Sequence, residues 1–324
     1  MDNIRKFCIA PMMGYTTPHA RKLYRILSER AFLFTEMIPA KTLIHSKNKS
    51  LLLENNNQNP IALQIGSSDI YDSAKCAKIA ENYNFDEINL NVGCPSKSVQ
   101  KGSFGACLMQ DKKLVRNCLE SMINSTTIKV SIKCRIGLGK EFNYEFFFDF
   151  INEIVKSGID TVYVHARNAI LKNFSPKNNR TIPPLNYEFV KNIKQDFPHI
   201  QFILNGGIDN IEKAFSFSKE YDGVMVGRLI QNNPFSLIEV DKLFYKENEK
   251  KILYKNIVLQ YFKYIKNEIG NDSIFRLLSP LLNIFFGMNN SKKFKSHIQS
   301  KMKNHEVDTL EKLFLEFLSE KNLI

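Results

Sequence analysis

The chain has 324 residues, 44% hydrophobic and 24% charged, proportions that suit a soluble globular protein and exclude a fibrous or disordered one. No apolar run approaches the roughly 18 residues of a membrane span, and the opening residues lack the core and cleavage site of a secretory signal, so a cytoplasmic location is expected. A formal net charge of +12 points to a polyanionic partner, whether RNA, DNA or an anionic membrane, if the charge proves to be clustered.

Short β-like runs recur along the chain at 7–13, 31–37, 60–66, 86–92, 127–134, 160–166, 200–206 and 222–227. Segments with apolar residues at i, i+3 and i+4 separate them, predicting helices over 17–29, 72–83, 111–124, 144–157, 186–196 and 210–219. Strands that alternate with helices require a parallel sheet, and near-continuous Val/Ile/Leu runs fit strands buried on both faces. Eight such units predict an α/β fold, a (β/α)8 TIM barrel; a doubly wound open sheet is the competing arrangement. The pattern changes after residue 240. A polar stretch over 245–251 reads as a linker, and 252–269, 274–287 and 307–318 carry helical periodicity without strand signals. The expected division is a barrel over 1–240 and a small helical domain over 241–324.

Six cysteines, Cys8, Cys76, Cys94, Cys107, Cys118 and Cys134, form no CxxC pair and no zinc-type spacing with histidine. They read as reduced thiols, five of them small buried hydrophobes, and no metal site is expected. Cys94 differs, because it lies between Gly93 and Pro95 just past an apolar run.

A TIM barrel builds its active site at the C-terminal strand ends, and here those ends are polar. Strand 1 finishes in Pro11, Met12 and Met13, strand 3 in Gln64, strand 4 in Asn91 and the Gly93-Cys94-Pro95 turn, and strand 5 in Lys133 and Arg135. Strands 6, 7 and 8 finish in His165 and Arg167, in Asn205, Gly206 and Gly207, and in Gly227 and Arg228. Glycines after the last two strands let backbone N–H groups approach an anion, and Arg228 adds a forked donor, the arrangement of a phosphate site. A lysine beside such a site loses hydration unless something electron-rich meets it. A flavin would meet Lys133 through its N1/O2 edge, with Gln64 bonding the ring and His165 nearby. Cys94 on its stiff turn could serve as nucleophile, metal ligand or proton donor; opposite a flavin, a proton donor is the economical reading, adding hydrogen across an activated C=C bond.

The block Ile88–Met109 closely resembles the signature of the tRNA-dihydrouridine synthases, flavoenzymes that reduce uridine in tRNA to dihydrouridine. The resemblance continues in order through 10–16, 130–137, 165–185, 205–208 and 224–228, and so covers most of the chain. Within the family the segments at 10–16 and 175–185 are most similar to the bacterial branch acting at positions 20 and 20a of the D-loop. The resemblance implies FMN bound by Pro11, Met12, Met13, Gln64, Lys133, His165, Asn205, Gly206, Gly207, Gly227 and Arg228, with NADPH as reductant. It implies Cys94 as the proton donor to uracil C5, hydride arriving at C6 from the flavin, and Asn91 helping to hold the uracil. It also implies tRNA rather than DNA or a membrane as the partner, met through Lys177, Arg180, Lys292 and Lys295, and a monomer is expected.

The charge is clustered as that reading requires: Arg167, Lys172, Lys177 and Arg180 between Ala166 and Tyr187, and Arg276, Lys292, Lys293, Lys295, Lys301 and Lys303 further on, with no carboxylate in either stretch. Two positions depart from the family pattern. Lysines stand at 292 and 295 where arginines are expected, giving up bidentate phosphate contacts, and Ser67 stands where a glycine is expected. Two other readings stay open: a flavin-dependent barrel oxidoreductase acting on a small pyrimidine, and a non-catalytic barrel that binds tRNA. The first does not require a basic helical tail, and the second does not require Cys94, Lys133 and His165.

Overall fold

The computed structural model describes residues 3–49, 53–55, 58–139, 143–248, 253–302 and 306–323. Its strands are β1 (Phe7–Ile9), β2 (Leu33–Phe34), β3 (Ile38–Pro39), β4 (Ile61–Gly66), β5 (Glu87–Val92), β6 (Lys129–Arg135), β7 (Thr161–His165), β8 (Gln201–Asn205) and β9 (Gly223–Val226). They run in the order β1-β9-β8-β7-β6-β5-β4-β2, all pairings parallel, with β3 also on β4. Phe32 closes the ring, its N–H donating to Phe7 O at 2.9 Å and its carbonyl accepting from Ile9 N at 2.8 Å. β2 and β3 share one place in the wall, so the eight expected strands make a TIM barrel.

The strand expected over 31–37 is interrupted for a visible reason. The hydroxyl of Thr35 accepts the N–H of Gln64 at 3.0 Å, taking over a ladder bond that a backbone carbonyl would make. The first strand ends at Ile9 rather than 13, because Met12 turns back to accept Tyr15 N and Thr16 N, both at 3.0 Å. Helices over 18–27, 70–82, 112–123, 144–154, 187–196 and 211–217 occupy the expected places. Thr17, Asp69, Asp111, Asn143, Asn186 and Asn210 each accept a first-turn N–H with the side chain, a cap contributing about 1 kcal/mol.

Side chains alternate strictly along the strands. On β5, Ile88, Leu90 and Val92 pack outward under the helices, whereas Glu87, Asn89 and Asn91 face the barrel interior. Beside them in that interior pack Cys8, Ala10, Phe32, Phe34, Ala62, Tyr163, Ile203 and Met225.

Beyond Tyr245 the described chain is helical, at 254–268, 274–278, 291–301 and 307–320. Pro280 breaks the segment expected as one helix over 274–287 into an α-turn and a 3-10 turn. The helix Ser291–Lys301 escaped the periodicity reading because it buries only Ile298 fully. The last three residues of the expected linker, 249–251, together with Lys303, lie outside the described residues. The helical part sits on the barrel through Tyr261, whose hydroxyl donates to His19 O and Leu277 O, and through His19, which meets Tyr264 and Asp272 at 2.6 and 3.0 Å. No helix of the described residues is long and apolar enough to cross a membrane.

Candidate active site

A cavity of about 590 Å3 opens at the C-terminal ends of the strands. Its lining contains Cys94 and all of the residues expected to hold a flavin, from Pro11, Met12 and Met13 through Gln64, Lys133 and His165 to Asn205, Gly206, Gly207, Gly227 and Arg228. Asn91 and Arg180 line it too.

The Cys94 turn is built by its neighbours. Asn91 ends β5 and accepts the N–H groups of Gly93 and Cys94 at 3.1 and 3.0 Å, an Asx-type turn that aims the thiol over the mouth. Because this carbonyl is committed to the backbone, Asn91 can offer a ligand only the hydrogen on Nδ2 that is not given to Gln64. From below, Arg135 donates to Gly93 O at 2.9 Å, and to Asn168 O and Asn179 O at 2.9 and 3.1 Å. Gly105 closes the other side: Ala106 N donates to Cys94 O at 2.9 Å, and a Cβ on Gly105, already at φ +80, would fall 2.6 Å from that oxygen. The half-buried thiol faces Ser96 Oγ at 3.6 Å.

Cations dominate the electrostatics. Lys133, Arg135, Arg180 and Arg228 line the cavity with no carboxylate among its described lining residues. Burial, then the neighbouring Arg135, pushes the Lys133 amine down to about 8, and its Nζ donates to Asn205 Oδ1 at 3.0 Å. Burial, followed by Arg135, Lys133, Arg167 and Arg228, holds His165 well below the usual imidazole range, so the ring is neutral near pH 7 and can accept as well as donate. Arg228 is exposed at the mouth and has no ion-pair or hydrogen-bond partner among the described residues. Beside it, Nε of Arg167 is buried without a partner. A site so arranged asks for an anion.

The glycines beside these cations have no room for a side chain. Gly206 and Gly207 adopt φ +120 and +66, and a Cβ on Gly207 would lie 2.3 Å from Leu185 Cδ1. Backbone amides after β8 can therefore approach a ligand closely. The helix after Gly227 is a single turn, Arg228–Asn232, so Arg228 and the backbone N–H groups, rather than a helix dipole, carry the attraction.

A second cavity of about 860 Å3 adjoins the first, Tyr15 and Gln231 lining both. Its far wall carries Lys292, Lys293, Lys295 and Phe286. Lys295 donates to Asn283 Oδ1 at 2.8 Å, and Asn283 donates to Gln231 O at 2.8 Å. Lys177 lines neither cavity; it is exposed at the start of the short helix that carries Arg180. The sequence places Arg135 at a strand end without indicating a role for it, and counts Arg167 only as part of a basic cluster. Arg135 follows Lys133 by two residues on β6, the spacing that brings it to the same barrel mouth.

The family model described as Dihydrouridine synthase (Dus) matches residues 8–321. Among curated relatives, the tRNA-dihydrouridine(20/20a) synthase of Shigella flexneri is 39% identical over 295 residues, covering 90% of this chain and 87% of the relative. The protein of that name from Escherichia coli strain K12 is 39% identical over 295 residues, covering 90% and 85%. That from Vibrio parahaemolyticus is 37% identical over 300 residues, covering 92% of each.

Proposed function

The chain belongs to the dihydrouridine synthase family, and we propose that it reduces uridine to 5,6-dihydrouridine at positions 20 and 20a of the tRNA D-loop. The observation that carries this reading is one cavity that joins an unpaired cationic glycine cradle, a buried lysine and a thiol, and continues into a basic groove.

FMN fits the residues present. The unpartnered Arg228 and the open backbone of Gly206 and Gly207 suit its phosphate. Lys133, losing hydration against Asn205, suits the electron-rich edge of the ring, and neutral His165 beside it can donate a hydrogen bond without adding charge. When bound and reduced by NADPH, FMN would supply the hydride that adds at uracil C6.

The remaining roles belong to the chain. Cys94 delivers a proton to C5 from the other face, becoming a thiolate that solvent reprotonates. Arg135 and Asn91 hold the turn so that the thiol reaches C5 while the uracil lies over the cavity. A uridine inside folded tRNA must first be extruded. Arg180 at the mouth, Lys177 beside it, and Lys292 and Lys295 along the adjoining groove would grip the phosphates that flank it, the protein acting as a cytoplasmic monomer.

The test is mass spectrometry of D-loop fragments from unmodified tRNA incubated with the protein, FMN and NADPH. A two-dalton gain at positions 20 and 20a is expected. A gain elsewhere would refute the positions but keep the reaction. No gain from a yellow, NADPH-oxidising protein would refute the RNA substrate.

A further inference from the structure

The barrel interior below the cavity holds a line of polar side chains whose lower members, Arg5, Glu87, Ser131 and Asn89, the chemistry above does not use. At the base, the Arg5 guanidinium pairs with Glu87 Oε2 at 2.6 Å, and both side chains are nearly or fully buried. Ser131 donates to Glu87 Oε1. Asn89 Nδ2 donates to Ser131 Oγ at 2.7 Å, Gln64 Nε2 donates to Asn89 Oδ1 at 2.7 Å, and Asn91 Nδ2 donates to Gln64 Oε1 at 2.8 Å. The line ends where Asn91 Oδ1 accepts the N–H groups of Gly93 and Cys94.

A line of amides and hydroxyls has two possible polarities, and here only one is open. A carboxylate facing a guanidinium can only accept, so Ser131 must donate to it and must accept from Asn89. That turns the oxygen of Asn89 up to Gln64, the oxygen of Gln64 up to Asn91, and the oxygen of Asn91 to the catalytic turn. A local ion pair at the barrel base would need none of this. Apart from the Tyr163 hydroxyl, which donates to Glu87 Oε2 at 3.4 Å, the cluster packed beside the line is apolar, and a buried amide is costly unless fully satisfied.

We infer that Glu87 is a positioning residue for the active site: through Ser131 and Asn89 it fixes which end of the Gln64 amide faces the cavity, and so matches the Gln64 oxygen to Asn91, whose own oxygen the Gly93 and Cys94 N–H groups hold at the turn. One Nε2 hydrogen of Gln64 is left for a ligand in the cavity. The ligand half of this inference rests on the FMN reading above; the Cys94 half does not.

The reversing variant is Glu87→Gln. Arg5 keeps the oxygen of the new amide, so its NH2 group faces Ser131, which must then donate upward to Asn89. The amides of Asn89 and Gln64 turn over and bring Gln64 Nε2 against Asn91 Nδ2, so that Asn91 must give up either that contact or its bonds to the Cys94 turn. The FMN dissociation constant should rise about tenfold, equivalent to about 1.4 kcal/mol. On flavin-free protein, the iodoacetamide alkylation rate of Cys94, followed by peptide mass spectrometry, should change at least threefold. Ser131→Ala keeps the ion pair and cuts the line, so it should shift both readouts by itself. Adding Glu87→Gln to it should then change neither further, because no path to the site remains.

Additive effects in the double variant, or wild-type values of both readouts in either single variant, would overturn the inference. If Glu87→Gln does not fold, Ser131→Ala is compared with Ser131→Thr, which keeps the hydroxyl and should restore the Cys94 rate. Equal rates in those two variants would overturn it as well. Wild-type protein that binds no FMN would refute the cofactor reading and leave the Cys94 rates to decide this one.

Discussion

Lys133→Met separates what the barrel mouth costs from what it is for. Lys133 is pushed from 10.5 to about 8, first by burial and then by Arg135. At about 1.4 kcal/mol for each pH unit, holding that charge in the flavin-free protein costs roughly 3 kcal/mol. Methionine keeps the length and removes the charge, but leaves Asn205 Oδ1 without the donor it has at 3.0 Å, a loss of about 1 kcal/mol. The net expectation at pH 7 is a flavin-free variant about 2 kcal/mol more stable than the wild type. The sign with pH follows from linkage: below about 8 folded and unfolded chains both carry the proton, and the cost is present in full. Between about 8 and 10.5 only the unfolded chain keeps it, so wild-type stability rises and the advantage of methionine fades. Urea unfolding at pH 7 and pH 10 measures both points, and repetition with saturating FMN should reverse the ranking as the wild type alone gains ligand stabilisation. A variant less stable than wild type at pH 7 without flavin, or a gain undiminished at pH 10, would refute the reasoning.

Three further outcomes follow from the same site. Cys94→Ala should keep the flavin absorbance and lose about a hundredfold or more in dihydrouridine formation, as expected for a general acid; loss of the flavin with the thiol would remove Cys94 from its role. Gly207→Ala places a Cβ 2.3 Å from Leu185 Cδ1 at φ +66, so thermal unfolding should show a loss of about 1–3 kcal/mol together with weaker FMN binding. The pair Lys292→Ala and Lys295→Ala should lower the slope of log affinity for tRNA against log salt by about 0.7–0.9 per lysine, and a parallel line at lower affinity would mean that neither touches phosphate.

Much of this was legible in the sequence because a parallel barrel writes itself twice, once in the spacing of its apolar strands and again in the polar residues that end them. Cys94, Lys133, His165 and the glycines Gly206, Gly207 and Gly227 each stand at a strand end, and closing the ring is enough to bring them to one cavity. What the sequence hid depends on side chains turning toward partners far away in the chain. Thr35 interrupts a strand through a hydroxyl bond to Gln64, and Arg135 finds carbonyls at Gly93, Asn168 and Asn179. The alternation of Glu87, Asn89 and Asn91 was a visible signal, since three inward polar positions in one barrel strand are costly. Only the register of β4, β5 and β6 shows how that cost is met. The helix Ser291–Lys301 was missed for the opposite reason, because it is polar almost all round and leaves little period to read.

The two cavities together bear on the choice between a small pyrimidine and a polymer. The barrel cavity alone, with its cation cradle and thiol, would serve either substrate. A small pyrimidine would end at the cavity wall and gain nothing from Lys292, Lys293 and Lys295, whereas on the proposed reading a nucleotide extruded from RNA would bring its flanking phosphates past Tyr15 and Gln231, which line both cavities, toward that second groove. Lysines suit this task differently from arginines. A lysine offers a point charge on a flexible stem and not a rigid fork, so on this reading the groove would attract a phosphate backbone without dictating its geometry, which is left to the mouth, where Arg135 and Asn91 hold the turn. The consequence is a separation of roles: changes in the groove should alter tRNA affinity and its salt dependence, and changes in the barrel should alter chemistry and flavin binding. A lysine substitution in the groove that slowed the chemical step at saturating tRNA would break that separation.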